Sequence, residues 1–304
     1  MDGRRKTGAA LERGVAIALM AILCSLGASN AVRAASSSDW IRHKFVETRL
    51  IAATSGLSRA GKIWLGLHIK LAPGWHTYWR TPGDSGLPTR LDWAGSMNVK
   101  DTAVEWPLPQ RLHSFDQDNF VYVSEVVIPI EVTSADPTRP VQIDLKVEYG
   151  VCREICVPMA DRHRLSVSPV PGGPRETDFT PLIEQSLLQV PERGQTNELV
   201  IERVALVSHG DQTVLEIIAG AALPFESPDA FVEAPTPNRF GAPKVMLKPD
   251  GKQAVLHLPI FGARPGQLAG KAVRLTLFDG IGRAIERTVE IENDLAIPFS
   301  QSHK

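Results

Sequence analysis

The chain has 304 residues, with 33 Lys and Arg against 34 Asp and Glu and a formal net charge of −1. That balance gives no basic footprint for nucleic acid or anionic lipid. Three cysteines are too few for a four-cysteine zinc site.

Arg4, Arg5, Lys6 and Arg13 precede an uncharged apolar stretch, Gly14–Gly27, and then small residues at Ala31, Ala34 and Ala35. This is the tripartite order of a secretory signal. The stretch is shorter than the roughly 18 to 20 residues that cross a bilayer, so residues 1–34 are expected to be removed rather than kept as an anchor. Their loss takes away five basic and two acidic residues, leaving 28 basic against 32 acidic. It also removes Cys24, so the mature chain keeps Cys152 and Cys156 in a compartment that permits disulfides. No later run is apolar enough to span a membrane, and no stable membrane insertion is expected after signal removal.

Residues 39–170 read as short apolar or alternating runs: Lys62–Leu71, Glu125–Val132, Val141–Tyr149 and Arg164–Val167. They are punctuated by Pro73-Gly74, Pro82-Gly83, Gly95-Ser96 and Asp136-Pro137. Strand-length runs between such turn signals predict a β-sandwich. The segment 168–177, with three Pro and two Gly, reads as a linker. Within 171–194 one short helix is expected over Asp178–Val190, with Thr180 as N-cap and Pro181 at the first helical position.

From residue 195 to 295 the strand pattern resumes at Leu199–Val207, Thr213–Ile218, Lys244–Leu247, Ala254–Leu258, Ala272–Phe278 and Ala284–Ile291. Pro249-Asp250-Gly251 forms a hairpin turn. The predicted architecture is all-β: two immunoglobulin-like sandwiches joined by a Pro/Gly linker and a short helix. All six Trp and all three Tyr lie between Trp40 and Tyr149, so the first sandwich is expected to carry the chemistry.

In Val147–Met159 a single extended strand would hold the two cysteine Cα atoms roughly 13 Å apart, beyond the roughly 4.4–6.8 Å of a disulfide. A hairpin with Arg153, Glu154 and Ile155 at its tip would bring them opposite each other. Closing so short a loop stabilises by only about 2 kcal/mol, against about 4.7 for a loop of 100 residues. A redox couple is therefore expected ahead of a structural staple. A metal reading stays open beside it, since Cys152, Cys156, Met159 and His163 are soft or borderline ligands suited to Cu(I); that would make the chain a copper-binding or copper-tolerance protein.

The motif Gly74-Trp75-His76-Thr77-Tyr78-Trp79, then Pro82-Gly83-Asp84-Ser85-Gly86-Leu87-Pro88, Val104-Glu105-Trp106-Pro107, the Pro129 strand, and Tyr149-Gly150-Val151-Cys152 with Ile155-Cys156-Val157-Pro158, resembles the amino-terminal periplasmic domain of the DsbD and ScsB thiol-reductant transporters. The C-x₃-C spacing is similar to the ScsB-like branch, and residues 195–295 resemble its second β-domain. The resemblance implies a periplasmic thiol:disulfide interchange protein that needs no cofactor. Electrons would pass from a membrane-embedded conduit, absent from this chain, to thioredoxin-like periplasmic proteins. It further implies protein-disulfide reductase activity, if any, and settings such as cytochrome c biogenesis. In such a domain Cys156 forms the mixed disulfide, Cys152 resolves it, and an aromatic cap at Phe115 shields the pair. Tyr122 and Tyr149 are expected to line the site, and His76, Trp79 and Asp84 to stabilise a loop.

Overall fold

The computed structural model describes residues 35–209, 212–235, 238–262 and 267–294; the expected signal segment, residues 1–34 with Cys24, lies outside the described residues. The first half runs β1 (Ile41–Arg42), β2 (Val46–Ala52), β3 (Lys62–Leu71), β4 (His76–Gly83), β5 (Arg90–Asp92), β6 (Val99–Val104), β7 (Gln110–Ser114), β8 (Gln117–Val123), β9 (Glu125–Ser134), β10 (Val141–Cys152) and β11 (Cys156–Val167). One sheet has the order β1-β2-β3-β9-β6. The other has β11-β10-β4-β8-β7, with β5 on β10. Their facing apolar side chains, among them Leu65, Leu67, Ile128, Ile130, Leu145 and Val147, form the core. This is the sandwich that the alternating runs predict.

The segment His76–Gly83, expected to be a loop, is instead a central strand, and Trp79 lies wholly buried in the core. The Pro-Gly punctuation marks the end of that strand rather than the absence of one. Asp84, just beyond it, does hold a turn, accepting the Asp118 backbone N–H at 2.9 Å.

The single helix among the described residues, α1 (Thr180–Leu187), begins one residue before the expected first helical position, Pro181. Phe179, not Thr180, is its N-cap, and the Thr180 hydroxyl donates to the Ala53 carbonyl. Ile183 packs against Ile51, Ala53 and Val127, so the helix covers the outer face of the first sheet. That cover explains why β3 and β9 are buried on both faces. The Pro/Gly segment before it is tied down as well: Ser55 N–H donates to the Arg175 carbonyl at 2.8 Å, and Thr177 N–H to the Ala53 carbonyl at 3.0 Å.

The second half contains β12 (Glu192–Arg193), β13 (Leu199–His209), β14 (Gln212–Ala221), β15 (Asp229–Glu233), β16 (Arg239–Phe240), β17 (Lys244–Leu247), β18 (Gln253–Phe261), β19 (Ala272–Phe278), β20 (Ala284–Glu290) and β21 (Glu292–Asp294). Its two sheets run β12-β20-β19-β15 and β16-β18-β14-β13-β21, with β17 on β18. They enclose a second core. The protein is all-β, two immunoglobulin-like sandwiches joined by the Pro/Gly segment and the short helix.

The two sandwiches share more than that connection. Phe231 of β15 reaches into the first core, 4.5 Å from the Phe120 ring centre and 6.0 Å from that of Trp79. Around it Arg80 pairs with Glu233 and Glu286. Arg111 forks onto Asp229, with both bonds at 2.8 Å.

Candidate functional site

Strands β10 and β11 form one unbroken antiparallel ladder whose last pair is Cys152 opposite Cys156. The Arg153 N–H donates to the Ile155 carbonyl at 3.2 Å and closes the turn between them. The sulfurs are bonded at 2.06 Å, with the Cα atoms 4.1 Å apart.

The two sulfurs differ in access. Cys152 is 2% exposed, packed with Tyr78 and Val121 under Leu112. Cys156, at the start of an edge strand, is exposed. Only Cys156 is presented to an attacking group from outside, which thiol exchange requires of its first sulfur.

On the other side of Cys152 lies β4, whose His76 is its register partner. Alternation along β4 puts His76 and Tyr78 on the face of the disulfide and Thr77 and Trp79 on the other. The Tyr78 hydroxyl lies 3.3 Å from Cys156 Sγ, and His76 Nε2 lies 3.4 Å from that hydroxyl. Burial raises the Tyr78 phenol above its ordinary value and lowers the His76 imidazole below its own. Gly86 makes room for this arrangement: its φ is +101°, and a Cβ there would come within 2.3 Å of the Tyr78 ring. Tyr78 was not singled out from the sequence. The signal was present in the alternation of His76-Thr77-Tyr78-Trp79, obscured by reading the motif as a loop.

The expected lining residues divide differently. Tyr122 is buried in the core, its hydroxyl donating to the Pro107 carbonyl at 2.7 Å. Tyr149 is three residues before Cys152, so strand alternation turns its ring to the opposite face. Its hydroxyl donates to Asp161 Oδ2 at 2.7 Å; the residue also lines an open groove of about 380 Å³ shared with Leu87, Pro88 and Met159. Neither tyrosine touches the sulfurs as a lining residue would.

The four soft ligands do not converge either. Met159 and His163 alternate with Pro158 and Arg162, on the face of β11 away from Cys156. His163 is buried between Thr48, at 3.1 Å, and Ser38, at 3.4 Å. Among the described residues no group of three or more His, Cys, Asp or Glu is arranged to hold a metal ion.

Phe115 occupies the tip of the β7–β8 hairpin, where Ser114 pairs with Gln117. Phe115 and Asp116 have φ of 51° and 56°, the pattern of a two-residue hairpin turn that ordinarily takes Asn or Gly. Phe115 is 84% exposed. It does not shield the exposed Cys156 in this conformation. The hairpin nevertheless rises beside the site, since Leu112 packs on the cluster around Cys152.

Residues 45–167 match the family model described as "Thiol:disulfide interchange protein DsbD, N-terminal". This stretch is a DsbD-like N-terminal domain. The cysteine hairpin falls inside the matched stretch. Residues 189–294 match a second model, described as a domain of unknown function, DUF8393. Among solved structures, the N-terminal periplasmic domain of ScsB from Proteus mirabilis superposes with a TM-score of 0.68 at 22% identity. The match covers 84% of this chain and 98% of that one, so the shared fold extends through the DsbD-like domain and beyond it. No curated protein matches the sequence. Among the described residues no helix is long and apolar enough to cross a membrane.

Proposed function

We propose that the protein is a periplasmic electron carrier working through Cys152 and Cys156. The observation that carries this reading is the asymmetry of the two sulfurs within a DsbD-like domain: one exposed at the end of an edge strand, the other buried beside it.

In the reductive half-reaction a thiolate of a reduced membrane-embedded partner attacks Cys156 Sγ. The Cys152–Cys156 bond breaks, and Cys152 leaves as a thiolate and takes up a proton. The partner's second thiolate then attacks its own sulfur in the mixed disulfide and releases Cys156 as a thiolate, so two electrons have moved into the pair. In the second half-reaction Cys156 attacks the disulfide of an oxidised thioredoxin-like protein, and Cys152 resolves the mixed disulfide. The protein then acts as a protein-disulfide reductase. Phe115 covers Cys156 between encounters by a swing of the β7–β8 hairpin tip. On this reading residues 1–34 are a cleaved signal, 39–170 the redox domain, 171–194 the connecting segment and 195–295 the second domain.

Redox titration in glutathione buffers tests the proposal. A carrier gives a reversible potential in the range of thiol exchange, and Cys152→Ala accumulates a mixed disulfide through Cys156. A bridge that stays closed below about −300 mV is a structural staple and would overturn the reading.

A further inference from the structure

The hydrogen-bonded line from Cys156 through Tyr78 to His76 does more than pack. We propose that His76 and Tyr78 form a proton relay that generates the Cys156 thiolate: the thiol proton passes to the Tyr78 oxygen as the Tyr78 proton passes to His76 Nε2. The proposal rests on the carrier reading, and it names residues that assist the chemistry.

Three observations carry it. The Tyr78 oxygen is within reach of both Cys156 Sγ, at 3.3 Å, and His76 Nε2, at 3.4 Å. The His76 ring stands edge-on to the Tyr78 ring, with centres 5.3 Å apart and planes at 81°, which fixes their relative orientation. His76 is 8% exposed, and burial alone lowers its affinity for protons. A neutral imidazole with its proton on Nδ1 leaves Nε2 free to accept from the tyrosine hydroxyl.

The groups facing His76 across the sheet are Cys152 on β10 and the apolar Val123 on β8. At the turn between the cysteines Arg153 and Glu154 pair at 3.5 Å, both exposed, so their charges offset each other. The relay balances: the thiol loses one proton, tyrosine passes one on, and His76 gains one. The resulting thiolate accepts a hydrogen bond from Tyr78, and the imidazolium donates one to the Tyr78 oxygen. Tyr78 touches the reacting sulfur; His76 acts through it and is a positioning and proton-holding residue.

The test uses the mature chain carrying Cys152→Ala, in which Cys156 is the one thiol, and follows iodoacetamide alkylation against pH without any partner protein. Tyr78→Phe and His76→Gln are each expected to slow alkylation near neutral pH roughly tenfold. Each should raise the midpoint of the profile by about one pH unit, while rates converge at high pH where the thiol ionises unaided. The double variant is expected to be no slower than Tyr78→Phe alone, since His76 works through the tyrosine. An unshifted midpoint, additive losses, or an equal slowing at every pH would overturn the relay. A second measurement needs no substitution: nuclear magnetic resonance of the His76 ring is expected to show its titration midpoint rising when the wild-type disulfide is reduced. An unchanged midpoint also overturns the relay. Exchange with a dithiol in the wild-type protein tests the carrier reading separately, so either idea can fail while the other stands.

Discussion

Phe115 illustrates how a residue can be costly where it stands. A bulky side chain at a φ of 51°, with its ring in solvent, contributes strain of order 1 kcal/mol and little packing. Phe115→Asn, which tolerates the left-handed region, is therefore expected to leave the thermal midpoint unchanged or raised. If Phe115 is the cap, the same variant reacts faster with small thiols such as glutathione. A lowered midpoint with unaltered reactivity would show that the ring serves stability instead. The tyrosines make the opposite point. Tyr149 donates to Asp161, which also accepts from Thr48 at 2.5 Å and bonds His43 at 2.7 Å. Tyr149→Phe removes one bond from a buried carboxylate and is expected to destabilise by about 1–3 kcal/mol, read by urea unfolding, while the redox potential stays put.

At the scale of strands, the β10–β11 hairpin was legible because two cysteines four apart can meet only if the chain turns between them. The runs from Lys62, Glu125 and Val141 were legible because alternation and apolar content agree. Strand β4 was not, since a motif crowded with Trp, Pro and Gly looks like a turn until its neighbours fix it. The faces of Tyr122 and Tyr149 were hidden for a related reason: the parity that decides which side of a sheet a residue serves is set by register with other strands. Burial of histidines on these strands carries its own consequence. His68, His76 and His163 are each held below their ordinary value of 6.5, burial being the largest cause in every case. Between the folded and unfolded values the unfolded chain binds more protons, so their contribution is full above about pH 6.5 and is lost as pH falls towards the folded values. The urea midpoint is expected to drop between about pH 6.5 and 5.5, above the range where carboxylates such as Glu125 titrate. A flat profile across that interval would contradict the placement of these rings.

Taken whole, the molecule is two sandwiches joined through a shared aromatic contact. Phe231 of the second lies in the core of the first, and Arg80 and Arg111 extend into carboxylates of the second. A single calorimetric transition is expected for the wild type. Phe231→Ala should cost about 3–5 kcal/mol, as large core truncations do, and split the transition in two. Two transitions in the wild type would show that the aromatic insertion couples nothing. This joint was invisible in the sequence, where Phe231 is one apolar residue in a short run. The second sandwich also holds the hairpin bearing Phe115 one pair below its tip: Ala242 N–H donates to Asp118 Oδ2 at 2.9 Å, and Asp118 meets Arg111 and His113 on the opposing strand. The inserted ring has a practical corollary for anyone trimming the gene. A fragment stopping at residue 170 would leave an aromatic socket between Trp79 and Phe120 open to water and strip Ile183 from the outer sheet. Such a fragment should bind hydrophobic dyes and clump on storage, whereas one supplied in trans with the remainder should be rescued.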